Sequence, residues 1–252
     1  MTSPGSPAPR AGPAENADID SSSEAYADRF AGPVGRWFLE LQTRLTLAAL
    51  ARLPRDARVL DVGGGHAQVA PPLIEAGYRV TVAGSDASCG ARLVPWTSTG
   101  RCVFEVADLR RLPYADRSFD AVVCYRLLAH SVDWRGLIRE LCRVAAARVV
   151  VDYPSRRSMN AVSDGLFGMK RSIEGAMTRP YALYRPGEIA DAFAESGFGV
   201  SASEPQFFFP MVIHRVGRSA RLGRALEWPA RALGLTRLLG SPVIARADRR
   251  RV

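Results

Sequence analysis

The sequence predicts an α/β protein built on a doubly wound parallel sheet, and three observations carry that prediction. From residue 58 onward, short apolar runs alternate with stretches of helical periodicity. The first run ends in a tight Gly63-Gly64-Gly65 turn that opens a helical pattern, in "VLDVGGGHAQVAPPLIEAGYRV". The second run ends on an acidic residue, Asp86, in "VAGSDAS". Open parallel sheets bind ligands beyond the carboxyl ends of their strands, so the turn and the acid both fall on the binding edge.

The elements follow in order. Residues 1–22, rich in Pro, Ser, Ala and Gly, hold too little apolar surface to offset ordering, and a disordered tail is expected there, with one domain over 23–252. Within residues 34–54, Val34, Trp37, Phe38, Leu41, Leu45, Ala48 and Ala49 share one helical stripe that stops at Pro54, which makes 23–54 a helical cap. Strands are expected at 58–62, 78–83, 102–106, 119–124 and 148–152, and helices at 67–76, 88–95, 134–146 and 186–196. Residues 153–186 separate the fifth strand from its helix by far more than the usual few residues. An insertion of that length at a ligand end reads as a substrate-side wall, formed together with the N-terminal helix. After it, "PQFFFP" reads as sheet core, a basic helical stretch follows, and "SPVIARADRR" supplies a last strand.

Composition narrows the class. With 47% hydrophobic and 23% charged residues, the 252-residue chain has the balance of a globular protein. It has no run of about 18 apolar residues to span a membrane and no apolar signal core, so the cytoplasm is the expected compartment. Cys89, Cys102, Cys124 and Cys142 form no CxxC pair, which points to buried thiols and to no metal site. Net charge is +9, and from Arg215 onward ten arginines face only Glu227 and Asp248. That bias permits a nucleic-acid or anionic-membrane partner, although arginines on solvated helix faces are the plainer account of it.

The glycine turn weighs against one cofactor class. A dinucleotide fingerprint, GxGxxG, would require glycine at position 68, where Gln68 stands. The pattern present is acidic-x-G-x-G-x-G/A: Asp61, Gly63, Gly65, Ala67. With these residues the sequence resembles the class I S-adenosylmethionine-dependent methyltransferases, in particular their small-molecule branch related to ubiquinone and menaquinone biosynthesis. Further segments carry the resemblance: "VADLRRLPYADRSFDAVVC" (106–124), "LLAHSVDWRGLIRELCRV" (127–144) and "YRPGEIADAFAESGF" (184–198). The turn before the fifth strand departs from it, with "AAARVVV" in place of a glycine-rich turn.

The resemblance implies a Rossmann-like seven-stranded sheet in the order 3-2-1-4-5-7-6 with the last strand antiparallel. It implies S-adenosyl-L-methionine as cofactor. Asp61, Gly63, Gly64 and Gly65 would wrap the methionine part, and Asp86 with Ala87 would meet the ribose hydroxyls. Asp108 would accept from the adenine amine and Leu109 would offer its backbone N–H to the ring. Tyr125 and Arg126, at the fourth strand's end, become candidates for cofactor or substrate contact. His66 reads as shaping the loop or touching the methionine tail, and His214 as structural.

Methyl transfer is an in-line displacement, so orientation contributes most of the catalysis, roughly 7–11 kcal/mol. A base is needed only for a protonated acceptor. His130, just past the fourth strand, is the best-placed residue for that role, with capping of its own loop as the alternative. The acceptor is expected to be a small lipophilic or aromatic metabolite. An RNA- or DNA-directed enzyme would carry an [N/D]-P-P-[Y/F]-like turn after strand four, where this chain reads "CYRLLAH". A non-catalytic cofactor-binding protein, associated with membranes through its basic helices, is the third reading. No pattern in the chain fixes an oligomeric state.

Overall fold

The computed structural model describes residues 17–158 and 182–250. Seven strands form one sheet: β1 (Arg58–Val62), β2 (Arg79–Gly84), β3 (Cys102–Val106), β4 (Phe119–Cys124), β5 (Ala145–Tyr153), β6 (Phe198–Phe207) and β7 (Ser241–Arg249). Their order is β3-β2-β1-β4-β5-β7-β6. The β1–β2, β1–β4, β2–β3 and β4–β5 pairs are parallel, and β7 runs antiparallel to both β5 and β6. The expected order and the antiparallel last strand are both present.

The apolar runs are continuous because both sheet faces are covered. Along β4, Ala121 and Val123 point to one face while Val122 and Cys124 point to the other. The first face is covered by α3 (Gly32–Leu50) and α4 (Ala70–Glu75), the second by α6 (Trp134–Val144) and α7 (Pro186–Glu195). Helix α5 is the short Val94–Thr97 segment. All four cysteines are free and buried, as the spacing predicted. Among the described residues no helix is long and apolar enough to cross a membrane, and no cluster of side chains could hold a metal ion.

Three local expectations need correction. The tail boundary at residue 22 fails for residues 17–22, which form α1 (Ala17–Ser21) and its continuation toward α2 (Glu24–Ala27), with Asp18, Ser21 and Ser22 buried. Order is recovered there through polar contacts, which hydrophobic periodicity does not register. Helix 67–76 starts only at Ala70, because Ala67 takes a left-handed conformation (φ 56) that ends the glycine turn. The 88–95 helix is mostly a 3₁₀ segment, Ala87–Leu93, capped by Asp86. Most of the 153–186 insertion lies outside the described residues.

Between β6 and β7 the chain forms α8 (Met211–Gly217), α9 (Ala220–Ala232) and α10 (Leu235–Leu239). Their inner side is fixed by a buried pair. His214 Nε2 lies 3.0 Å from Glu227 Oε1, and the carboxylate also accepts from the N–H groups of Phe208 and Phe209. Burial works against the charge on Glu227, but these bonds hold its carboxyl below the usual range. His214 also packs edge-on against Trp37 of α3, so it serves the fold. In the "QFFFP" run, Phe207 is core and packs against Phe38.

Candidate active site

The site is built at the carboxyl ends of β1, β2 and β4. Asp61 sits in β1 between Val82 of β2 and Val123 of β4, and is buried. The chain then turns at Gly63, whose φ of 73° suits glycine, and Gly63 N–H binds Ala83 C=O at 2.8 Å. At Gly64 any Cβ would collide with the Asp61 carboxylate, and at Gly65 it would collide with Ser22 Oγ and Cys89 C=O. The bare backbone therefore lets the carboxylate and the loop approach each other.

Two cavities open beside this turn. The first is lined by Ser21, Asp61, Gly63, Gly64, His66, Gln68, Val69, Tyr125 and Arg126. The second is lined by Ala17, Leu109, Arg110, Leu127, His130, Ser131 and Leu137. Helix α1 contributes Ser21 to the first and Ala17 to the second, and Leu127 of the second also packs at Gly63 of the first, so the two cavities adjoin along α1. That helix is anchored by Asp18, which accepts from Ser85 N–H and Ser85 Oγ, each at 2.6 Å.

The electrostatics of the first cavity are unusual. Burial pushes the Asp61 carboxyl up to about 7, with only partial relief from the Arg126 guanidinium, and its Oδ2 has no hydrogen-bond partner. A buried carboxylate oxygen without a donor is costly unless a cation or donor meets it. Arg126 stands at a positive φ of 63°. Its N–H binds Asp152 Oδ1 at 2.6 Å and its guanidinium binds Gln42 Oε1 at 3.1 Å. Burial, opposed by Arg126, raises Asp152 to about 6. The Arg126 guanidinium also lies over the rings of Phe30 and Tyr26, at 5.0 and 5.7 Å. His66 meets the same two rings edge-on. Burial, with Arg126 and Arg92 adding to it, depresses His66 to about 3, so its imidazole is neutral at ordinary pH.

The other expected residues are placed as follows. Tyr125 is buried, with its hydroxyl 2.7 Å from Thr46 Oγ1, and burial raises it far above the usual tyrosine range. Leu109 is buried in the second cavity. Asp86 lies at the tip of β2 but is exposed, and its carboxylate accepts from Ser88 N–H at 2.8 Å. Ala87 begins the segment that Asp86 caps. Asp108 is exposed and accepts from Arg110 N–H at 3.0 Å. His130 closes a 3₁₀ turn, Leu128–His130, and lines the Leu109 cavity rather than the Asp61 cavity. Sequence reasoning missed Asp18, Gln42 and Asp152. Asp152 carried a signal, an acid ending the fifth strand, whereas nothing in their surroundings marked the other two.

The sheet order and its helices match the Rossmann-like fold of solved methyltransferase structures. Residues 60–149 match the family model described as "Methyltransferase domain". A demethylmenaquinone methyltransferase of Deinococcus radiodurans is 35% identical over 127 residues, 48% of this chain and 49% of that protein. A 27-O-demethylrifamycin SV methyltransferase of Amycolatopsis mediterranei is 36% identical over 113 residues, 42% and 41% of the two chains. The chain thus spans about half the length of the curated relatives it matches. Among solved structures, the magnesium protoporphyrin IX methyltransferase of Synechocystis PCC 6803, with bound SAH, superposes with a TM-score of 0.59 at 18% identity, over 92% of this chain and 98% of that one. The cyclase SpnF superposes with a TM-score of 0.56 at 21% identity, over 82% and 80%. These two likenesses concern the fold, and the second belongs to a protein named for other chemistry.

Proposed function

We propose that this chain transfers a methyl group from S-adenosylmethionine to a small, lipophilic or aromatic metabolite. The observation that carries the reading is the buried Asp61 carboxylate, with its Oδ2 unpartnered beside a glycine backbone. That arrangement suits the α-ammonium of an amino-acid tail and offers nothing to a pyrophosphate. When bound, the cofactor supplies an electrophilic methyl on a sulfonium.

The chain's own residues hold, orient and exclude water. Asp61, Gly63 and Gly64 would hold the tail, while Leu109 and Leu127 would cover the adenine. Tyr26 and Phe30 pack on Arg126 and His66, which line the Asp61 end. Asp86 is proposed to turn from Ser88 to the ribose, where two charge-assisted bonds form. Asp86→Ala should weaken cofactor binding by about one to two powers of ten; unchanged affinity by calorimetry would remove Asp86 from the site.

His130 was the candidate base. Its place beside Leu109 favours a role as a wall of the adenine end, acting as a positioning residue. His130→Ala is then expected to lower cofactor affinity about fivefold, with kcat at saturating cofactor unchanged. A fall in kcat alone would make His130 the base. The experiment that tests the function itself is transfer of labelled methyl from S-adenosylmethionine to a panel of quinols, phenols and carboxylic acids. Labelling of none, despite cofactor binding, would favour the non-catalytic reading.

A further inference from the structure

The β6–β7 connection lies at the ligand edge of the sheet. It leaves at Phe207 and returns at Ser241, which are paired, and the adjoining Val243 pairs with Tyr153 at the carboxyl end of β5. Its inner side is committed to packing by Gly223, Glu227 and Ala230. Its outer side is unusual. Leu222, Leu226 and Pro229 of α9 and Leu233 at its C-cap recur at helical spacing on one flank of the exposed side, and Trp228 stands on the other flank, roughly 130° around the helix. Trp228 is 70% exposed and Leu233 74%. Ile213 and Val216 of α8 and Leu238 of α10 extend the exposed apolar surface. Isolated exposed leucines need no explanation, but a contiguous set marks an interaction surface.

Charge says what kind of surface. Arg218, Arg221, Arg224, Arg231 and Arg237 are exposed on the same three-helix segment. Glu227, its single acid, is buried under His214 and the Phe208 and Phe209 amides. The segment's own solvent-facing side is therefore apolar and positive, and an acid from outside it, Glu40 of α3, meets Arg224 at 3.4 Å. An apolar and positive face is what a helix lying in a membrane interface presents.

We propose that α8, α9 and α10 seat the protein on an anionic lipid bilayer. Leu222, Leu226, Trp228 and Leu233 enter the headgroup–acyl boundary and the arginines meet lipid phosphates. A nucleic acid would use the arginines and leave the leucine stripe in water. A second copy of the chain, packed about a two-fold axis, would press arginine against arginine. Docking does not depend on the chemistry of the two cavities. It does place the docking segment beside the Asp61 cavity, since Arg215 of α8 lies 5.8 Å over Phe30, whose ring meets Arg126 and His66 of that cavity. Delivery of a lipophilic acceptor from the membrane follows from docking together with the methyl-transfer reading, and rests on both.

The test is co-sedimentation of the full chain with phosphatidylcholine vesicles, pure or containing about one-third phosphatidylglycerol. Binding is expected to the anionic vesicles only, and to weaken with salt. Brominated acyl chains should quench emission in the wild type, and Trp228→Phe should abolish that quenching. Arg218→Gln with Arg221→Gln should lower the partition coefficient roughly twenty-five-fold, about fivefold per charge. Leu222→Ser with Leu226→Ser should lower it at least about tenfold, leaving the melting temperature and S-adenosylmethionine affinity unchanged. Three results would overturn the proposal. These are no sedimentation with anionic vesicles, binding indifferent to the two serines, or a dimer that those serines dissolve in the absence of any lipid binding.

Discussion

S-adenosylmethionine affinity is expected to rise about tenfold per pH unit between about pH 5 and pH 7, then to level off. The reason is Asp61. Burial holds its carboxyl at about 7 in the free protein, so below that pH the cofactor's ammonium meets a neutral acid and binding must expel a proton. Above it the carboxylate already exists, and no proton is released. Asp152, held at about 6 beside the same arginine, adds a smaller limb at lower pH. Asp61→Asn should weaken binding at pH 8 by at least a hundredfold, the scale of one lost buried charge pair, and should flatten the profile. A flat wild-type profile, measured by calorimetry in buffers of different ionisation heat, would remove the ammonium from Asp61.

The same group sets a stability gradient of definite sign. Asp61 has a folded pKa above its unfolded value of 3.8, so the folded state holds the proton more tightly. Its neutral form favours folding below about pH 4, and that benefit is lost as pH rises to about 7, up to ~4 kcal/mol for a shift of this size. A cationic tail bound at Asp61 would offset the loss, so thermal stabilisation by the cofactor should grow with pH across the same window.

Deletion of residues 1–22 is expected to tighten cofactor binding ten- to thirtyfold and to speed association. Helix α1 lines both cavities. Ala17 lines the Leu109 cavity, Ser21 the Asp61 cavity, and Ser22 lies against Gly65. A ligand that fills both has to displace the helix, breaking the two bonds from Ser85 to Asp18. Charge-assisted bonds contribute about 1.5–3 kcal/mol each, partly recovered when the freed groups meet water, so a net cost of about 1.5–2 kcal/mol is expected. Asp18→Ala should capture much of the effect without shortening the chain. Stopped-flow binding measures both variants; weaker binding on deletion would show that α1 clamps the cofactor in place of excluding it.

How much of this was legible in the residues follows from which forces leave a pattern. Strand positions and the glycine turn were readable because burial on two sheet faces imposes apolar runs at β1, β2, β4 and β5, and a close-approach turn demands glycine, whereas the strand order came only with the family resemblance. Asp61 was readable from its spacing to Gly63 and Gly65. Asp18 was not, since its segment, "ADIDSSSEAYADRF", folds through polar contacts to Ser85 and has no apolar period. Gln42 was hidden on a helix read for its hydrophobic stripe. There it bonds Gln68 and Arg126, and Thr46, one turn on, reaches Tyr125. The charge excess after Arg215 was visible at once, but its meaning depended on where Glu227 points, which only the packing of α9 reveals.

The central claim is that a carboxylate and bare backbone at adjoining strand tips grip an amino-acid tail and a sugar. Calorimetric titration of the full chain at pH 8 tests it most directly, with S-adenosylmethionine, S-adenosylhomocysteine and NAD each offered alone. Saturable one-to-one binding of the two sulfur compounds, abolished by Asp61→Asn, with no heat from NAD, is the predicted result. Uptake of NAD with indifference to both sulfur compounds would contradict it.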